Sequence, residues 1–172
     1  MMLGAILAGG QARRFGQDKA LVEVDGVRLI DRIAARLADR CDAVVVCGRV
    51  LATYRCVPDR PAANLGPLGG IAAALRVAAE DGFANVLTVP CDVPDIPDDL
   101  STRLAPAPAV VADCPVIGLW PAALADRIDA FLGASDDRSL RAWARDCDAR
   151  TVPALGLANI NRPDDLAAYL AR

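Results

Sequence analysis

The sequence predicts a three-layer α/β/α sandwich with a mostly parallel, Rossmann-like sheet, folded as a single domain over residues 1–172. Three observations predict it. Short, nearly continuous apolar runs recur and stop at glycine or proline, as strands buried on both faces do. Between them lie stretches with apolar residues three and four apart, the pattern of crossover helices. The core palette is aliphatic, with 54% hydrophobic but only 4% aromatic residues, and a chain of this length can bury one core without staples.

The elements follow in order. Leu3 to Leu7 is the first apolar run, closed by Gly9-Gly10, and is expected as a central parallel strand. A polar loop leads to Ile30, Ile33, Ala34 and Leu37 at helical spacing, and Ala43 to Cys47 gives a second buried strand closed by Gly48. Together these form a βαβ unit. A short strand ends at Val57-Pro58-Asp59, and a helix marked by Leu68, Ile71, Ala72, Leu75 and Ala79 runs from the Gly66–Gly70 loop to Gly82. Val86 to Val89 is the next strand, ending at Pro90-Cys91-Asp92. Pro97, Asp98 and Asp99 read as a helix's first turn, where proline is tolerated and acidic side chains meet the positive dipole end. After an Ala/Pro linker at 105–108, strands are expected at 109–112 and 116–120, and helices near 121–132 and 138–146. Strands near 149–152 and 157–160 and a helix from Pro163 to Leu170 complete the chain. No repeat, charge block or low-complexity linker divides it.

Composition excludes several chemistries. The chain has no histidine, and its 19 basic residues are 18 arginines and one lysine, Lys19. Triads built on imidazole, imidazole proton shuttles and histidine-containing zinc sites are therefore absent. The net charge of −3, with no basic stripe, argues against nucleic-acid binding. Six cysteines without a CxxC spacing read as reduced, mostly buried small hydrophobes. The apolar run near the N-terminus is too short for a signal peptide or membrane span, so a cytoplasmic location and no membrane partner are expected.

The informative residues follow strands, where sheets of this class bind ligands. Leu7-Ala8-Gly9-Gly10 opens a loop continuing through Arg13-Arg14-Phe15-Gly16 to Asp18-Lys19. Glycines let backbone N–H groups approach anionic oxygens, and the arginines and Lys19 add cationic donors, so the composition suits a polyphosphate. No GK[ST] closes the loop and GxGxxG does not fit it. Gly9-Gly10 alone is explained as readily by a turn after a buried strand. Asp92 at the end of its strand could hold Mg²⁺ against bound phosphates, although one aspartate among twenty is by itself as readily a turn or capping residue. Asp59, Asn159 and Asn161 reach the same edge by the same topology.

Taken together, these segments resemble the molybdenum cofactor guanylyltransferases of MobA type. The resemblance rests on Leu7-Ala8-Gly9-Gly10 with Arg13-Arg14-Phe15-Gly16 and Asp18-Lys19, on Gly66-Pro67-Leu68, on Pro90-Cys91-Asp92-Val93-Pro94, and on Asn159 to Leu166. It implies GMP transfer from GTP to the terminal phosphate of molybdopterin, with release of pyrophosphate. It also implies that Leu7, Ala8, Gly9 and Gly10 line the nucleotide site, that Lys19 contacts the phosphates and Asp59 the nucleotide, and that Asp92 binds Mg²⁺. Lys19, Asp92 and Arg14 are the candidate catalytic residues, Asn159 and Asn161 belong to the acceptor's side, and molybdoenzyme acceptor proteins are candidate partners. Alternatives are a relative using CTP or another phosphorylated acceptor, and a GTP- or cofactor-binding protein without turnover.

Three departures from the family pattern stand out. The first loop is one residue shorter between Gly16 and Asp18 than in some members. Cys47 stands where an asparagine near the nucleotide is often found, and Asp113-Cys114-Pro115 replaces a longer polar hairpin. The chemistry agrees with the resemblance, because a phosphate nucleophile with a second pKa of ~6 arrives largely ionised and needs no protein base.

Overall fold

Alternation along the first strand decides the layering. In β1 (Met2–Leu7), Leu3, Ala5 and Leu7 belong to one buried cluster, whereas Ile6 and the following Ala8 belong to another. A strand with two apolar faces needs cover on both sides. The computed structural model, which describes residues 1–9, 21–63 and 65–171, supplies that cover with helices on each face.

After β1 the described chain resumes with a small antiparallel hairpin, β2 (Glu23–Val24) and β3 (Val27–Arg28). Asp25 and Gly26 turn it at φ 53° and 75°, the left-handed pair that a two-residue hairpin requires. The sequence reading treated this stretch as polar loop, although the Asp-Gly pair was its signal. Helix α1 (Leu29–Ala38) buries Leu29, Ile30, Ile33, Ala34 and Leu37. It leads to β4 (Ala43–Cys47), then β5 (Arg55–Val57), α2 (Pro67–Asp81) and β6 (Asn85–Pro90). Gly82 ends α2 in the left-handed conformation at φ 79°, as expected of a C-terminal glycine.

The remaining elements are α3 (Leu100–Leu104), β7 (Ala109–Val111), β8 (Gly118–Pro121), α4 (Ala125–Ala134), α5 (Leu140–Asp146), β9 (Arg150–Val152) and α6 (Pro163–Leu170). The large sheet has the order β5-β4-β1-β6-β8-β7-β9. Only β8 runs against the others, pairing antiparallel with β6 and β7, so the sheet is mostly parallel and β1 is central, as expected. One cluster joins α2, α4 and α5 to the sheet and the other joins α1 and α3 to its opposite face.

Two expectations fail, because distant groups take hydrogen bonds from the segments concerned. The helix expected from Pro97 begins at Leu100. Asp98 is held from outside by Arg36 of α1 and Arg40 of the turn after it, and Arg40 Nε also donates to the Asp98 carbonyl at 3.1 Å. Residues 97–99 thus form a turn leading into the helix. The strand expected at 157–160 is irregular chain, because its hydrogen bonds go elsewhere. Leu155 and Gly156 donate to the Asp113 carboxylate, and Ile160 donates to the Asp92 carbonyl.

One buried polar group ties the antiparallel strand to the parallel half. Thr88, fully buried on β6, donates its hydroxyl to the Val116 carbonyl at 2.7 Å and accepts the Trp120 indole N–H at 3.0 Å. Gly118 makes room for that indole, since a Cβ there would lie 2.7 Å from the ring. Thr88→Val keeps the shape but leaves the buried Trp120 N–H without its acceptor, which costs roughly 1–3 kcal/mol. Urea unfolding is expected to show a loss in that range, and Thr88→Ser should recover most of it.

Candidate active site

Four strand ends meet at one level. The parallel register sets Cys47 beside Leu7 and Val57, and Leu7 beside Pro90. The residues that follow therefore emerge together at the carboxyl edge of the sheet. Backbone hydrogen bonds extend the register past the strands. The Ala8 N–H donates to the Cys47 carbonyl at 2.9 Å, Gly48 to Val57 at 3.0 Å and Cys91 to Leu7 at 3.2 Å. Over these ends lies a cavity of about 290 Å³. Leu7, Gly9, Cys47, Arg49 and Asp59 line it beside the N-terminal turn of α2, and Cys91, Asp92, Cys114, Val116 and Asn159 line the other side.

The β1 and β4 turns approach so closely that only glycine fits. Gly48 has φ +81°, and a Cβ on it would stand 2.5 Å from the Gly9 Cα and 2.9 Å from Asp59 Oδ1. A Cβ on Gly9 would meet Asp59 Oδ2 at 3.0 Å, and one on Gly69 would meet the Asp59 Cβ at 3.0 Å. Glycines of three elements thus wall in the Asp59 carboxylate. Its backbone is held from the next residue, where the Arg60 N–H donates to the Gly69 carbonyl at 3.1 Å. The Arg60 guanidinium lies 3.5 Å from Asp129, which also pairs with Arg76 at 2.8 Å. Burial raises the Asp59 carboxyl above the ordinary carboxylate range, the direction that lost hydration produces.

Cys47 forms the floor beneath it. The thiol is fully buried and pushed up to about 12, first by burial and then by the Asp59 charge. It is a protonated, apolar surface and not a nucleophile. Arg49 lines the cavity, and its Nε donates to the Ala8 carbonyl at 3.1 Å. Gly66 and Pro67 open α2 into the cavity, with no acidic residue in the first turn. The partial positive charge of that helix end faces the space where an anion would sit.

Asp92 follows β6, half-buried, and its carbonyl accepts the Ile160 N–H at 2.9 Å. The donor set here fits a hard divalent cation. A carboxylate stands at the strand end and a second, Asp59, across the cavity, and burial raises the neighbouring Cys114 thiol, which keeps it protonated and a poor ligand. Among the described residues no group of three or more His, Cys, Asp or Glu side chains is placed to cage a metal. A cation that keeps waters and shares phosphate oxygens needs only one or two carboxylates.

The structure therefore brings Leu7, Gly9, Asp59, Asp92 and Asn159 to one cavity. Ala8 does not line it. Its side chain is buried, its N–H is taken by Cys47 and its carbonyl by Arg49, so it sets register instead. Asn161 stands at the entry to α6, its N–H donating to the Asp165 carboxylate at 2.9 Å, and is not a lining residue. Gly10, Arg14 and Lys19 lie outside the described residues. Sequence reasoning passed over Arg49, although the rule that ligand residues follow strands would have found it. Cys114 and Val116 had no local signal, because a turn between antiparallel strands places them.

The family model for the MobA-like NTP transferase domain matches residues 4–151. The chain belongs to that family. This transferase is 40% identical over 179 residues to the molybdenum cofactor guanylyltransferase of Rhodobacter capsulatus, covering 95% of this chain and 92% of the relative. It is 35% identical over 189 residues to the one from Rhizobium rhizogenes, covering 94% and 87%. Its fold resembles the crystal structure of molybdopterin-guanine dinucleotide biosynthesis protein A from Archaeoglobus fulgidus. The TM-score is 0.75 at 21% identity, over 99% of this chain and 97% of that one.

A raised carboxyl pKa has a defined consequence for the stability of the transferase. The protonated form of Asp59 is favoured by folding, so its contribution is full below the unfolded-state value and is lost as pH rises through the folded-state value. Asp59→Asn removes that dependence. The variant is expected to unfold at higher urea than the parent at about pH 7, with the difference shrinking toward about pH 4, near the unfolded-state carboxylate value.

Proposed function

We propose that this nucleotidyltransferase moves GMP from GTP to the terminal phosphate of molybdopterin, with Mg²⁺ as its divalent cation, and releases pyrophosphate. The observation that carries the reading is the 40% identity, across 95% of the chain, with a molybdenum cofactor guanylyltransferase. The cavity supports it, since a carboxylate, a helix N-terminus and an arginine converge beyond four strand ends. Residues 1–172 act as one nucleotidyltransferase domain in the cytoplasm, upstream of the molybdoenzymes that take up the product. Among the described residues no helix is long and apolar enough to cross a membrane.

The chemistry follows from the groups at hand. An oxygen of the acceptor's terminal phosphate attacks the α-phosphorus of GTP, the bond to the bridging oxygen breaks, and pyrophosphate leaves with its electron pair. The nucleophile is already ionised near neutral pH, so a chain without histidine lacks nothing that the reaction requires. Catalysis then rests on in-line placement and on neutralising charge in the transition state. Asp92 would hold Mg²⁺, which when bound neutralises phosphate oxygens. Lys19 and Arg14 supply cationic donors from the first loop, and the α2 N-terminus adds fixed positive potential. Leu7, Gly9 and Gly10 cradle the nucleotide, Asp59 contacts it, and Asn159 serves the acceptor's side.

Three measurements test this reading. With GTP, CTP, ATP and UTP compared, the parent is expected to release pyrophosphate from GTP only when molybdopterin is present. Product with CTP alone, or none with any nucleotide, would overturn it. Asp92→Ala should abolish Mg²⁺-dependent release with the circular dichroism spectrum unchanged. Lys19→Ala should lower turnover on the order of 10² or more, as expected of a group aimed at developing charge.

A further inference from the structure

Asn159 reaches the cavity on a segment that has no secondary structure of its own. Strand β9 ends at Val152, and residues 153–161 are neither helix nor strand. In the sheet order β6-β8-β7-β9, the chain must pass β7 and β8 to bring Ile160 against Asp92. Three strand spacings amount to roughly 14 Å, whereas the seven steps from 153 to 160 could span about 24 Å when extended. Chain length therefore leaves the path undetermined, and pins must choose it.

The far pin is the Ile160 N–H on the Asp92 carbonyl, with the Ile160 side chain buried. The near pin is Asp113. Its Oδ1 accepts the Leu155 N–H at 3.2 Å and its Oδ2 the Gly156 N–H at 3.0 Å. Gly156 bends there at φ +61°. Asp113 belongs to the same β7–β8 turn whose Cys114 and Val116 line the cavity, and Thr88 fastens that turn through the Val116 carbonyl. One turn thus walls the site with two residues and holds the Asn159 segment with a third.

We infer that Asp113 is a positioning residue: its carboxylate, accepting two adjacent backbone N–H groups, sets where Asn159 stands on the acceptor's side of the cavity. This rests on the guanylyl-transfer reading given above. An ionised carboxylate is the side chain suited to the task, because it can accept at both oxygens and the bonds are charge-assisted. Asparagine at 113 has nearly the same shape but would set an NH₂ donor against one of the two N–H groups. The compact Asp113-Cys114-Pro115 turn is accordingly a clamp on the closing segment.

The test uses the full chain with three variants, Asp113→Asn, Asn159→Ala and the double substitution. Hydrogen exchange on the protein without substrates should show residues 155–156 exchanging at least tenfold faster in Asp113→Asn, with α2 and α4 unchanged. In steady state the KM for molybdopterin should rise about tenfold while the KM for GTP stays within twofold. In the Asn159→Ala background, Asp113→Asn should add less than a further twofold, because coupled residues are not additive. Unchanged exchange at 155–156 would overturn the inference whether or not the protein turns over. Equal rises in both KM values, or independent losses in the double variant, would overturn it too. A parent that makes no guanylylated product would instead count against the proposed reaction, leaving the exchange result to decide the role of Asp113.

Discussion

Everything at the site depends on a register. Strand β1 is paired in parallel on both sides, and its last residue, Leu7, stands level with Cys47 and Pro90, as Cys47 does with Val57. Parallel pairing with a common end is what delivers Gly9, Arg49, Asp59 and Asp92, residues up to 83 positions apart in the chain, to a single cavity. A slip of one residue in β1 would turn Leu3, Ala5 and Leu7 from the α2 side to the α1 side. Two dry faces forbid that, and the same burial that stabilises the strand sets the aim of the site.

Close approach is the second constraint, and it explains the glycines better than flexibility does. Gly9 and Gly48 touch backbone to backbone, and together with Gly69 they crowd Asp59. The result is a half-buried carboxylate, with its carboxyl raised, beside an inert thiol at Cys47. Such a group is unfavourable for the isolated fold, and carboxyls perturbed in this way cluster at ligand sites. Lacking histidine, the chain places its chemistry in carboxylates, arginines and backbone dipoles.

Much of the fold was legible because its signals are local. β1, α1, β4, α2 and β6 follow from apolar periodicity with glycine stops at 9, 48 and 82, and α6 was bounded by Pro163. The failures are all places where distant groups took over a segment's hydrogen bonds. Asp98 is drawn to the end of α1 and the turn after it by Arg36 and Arg40, which moves the start of α3. Leu155, Gly156 and Ile160 give their N–H groups to Asp113 and Asp92, which dissolves the strand expected at 157–160. The β2–β3 hairpin differs, because its signal, Asp25-Gly26, is local and lies within a stretch whose polar composition resembles a loop.

The sequence by itself determined the class of sheet, the strand ends that carry Gly9, Asp59 and Asp92, the exclusion of imidazole chemistry and the motifs that mark a nucleotidyltransferase. Each is written in residue type and short spacing, which act through local sterics and burial. Only the tertiary structure decided that β8 runs antiparallel, that Arg49, Cys114 and Val116 share the cavity with Asp92, and that Ala8 spends its backbone on Cys47 and Arg49. It alone also showed Asp113 gripping the segment that carries Asn159. Those are relations between residues that are not neighbours in the chain, and their geometry is set by which strands lie side by side, a relation that composition and periodicity do not record.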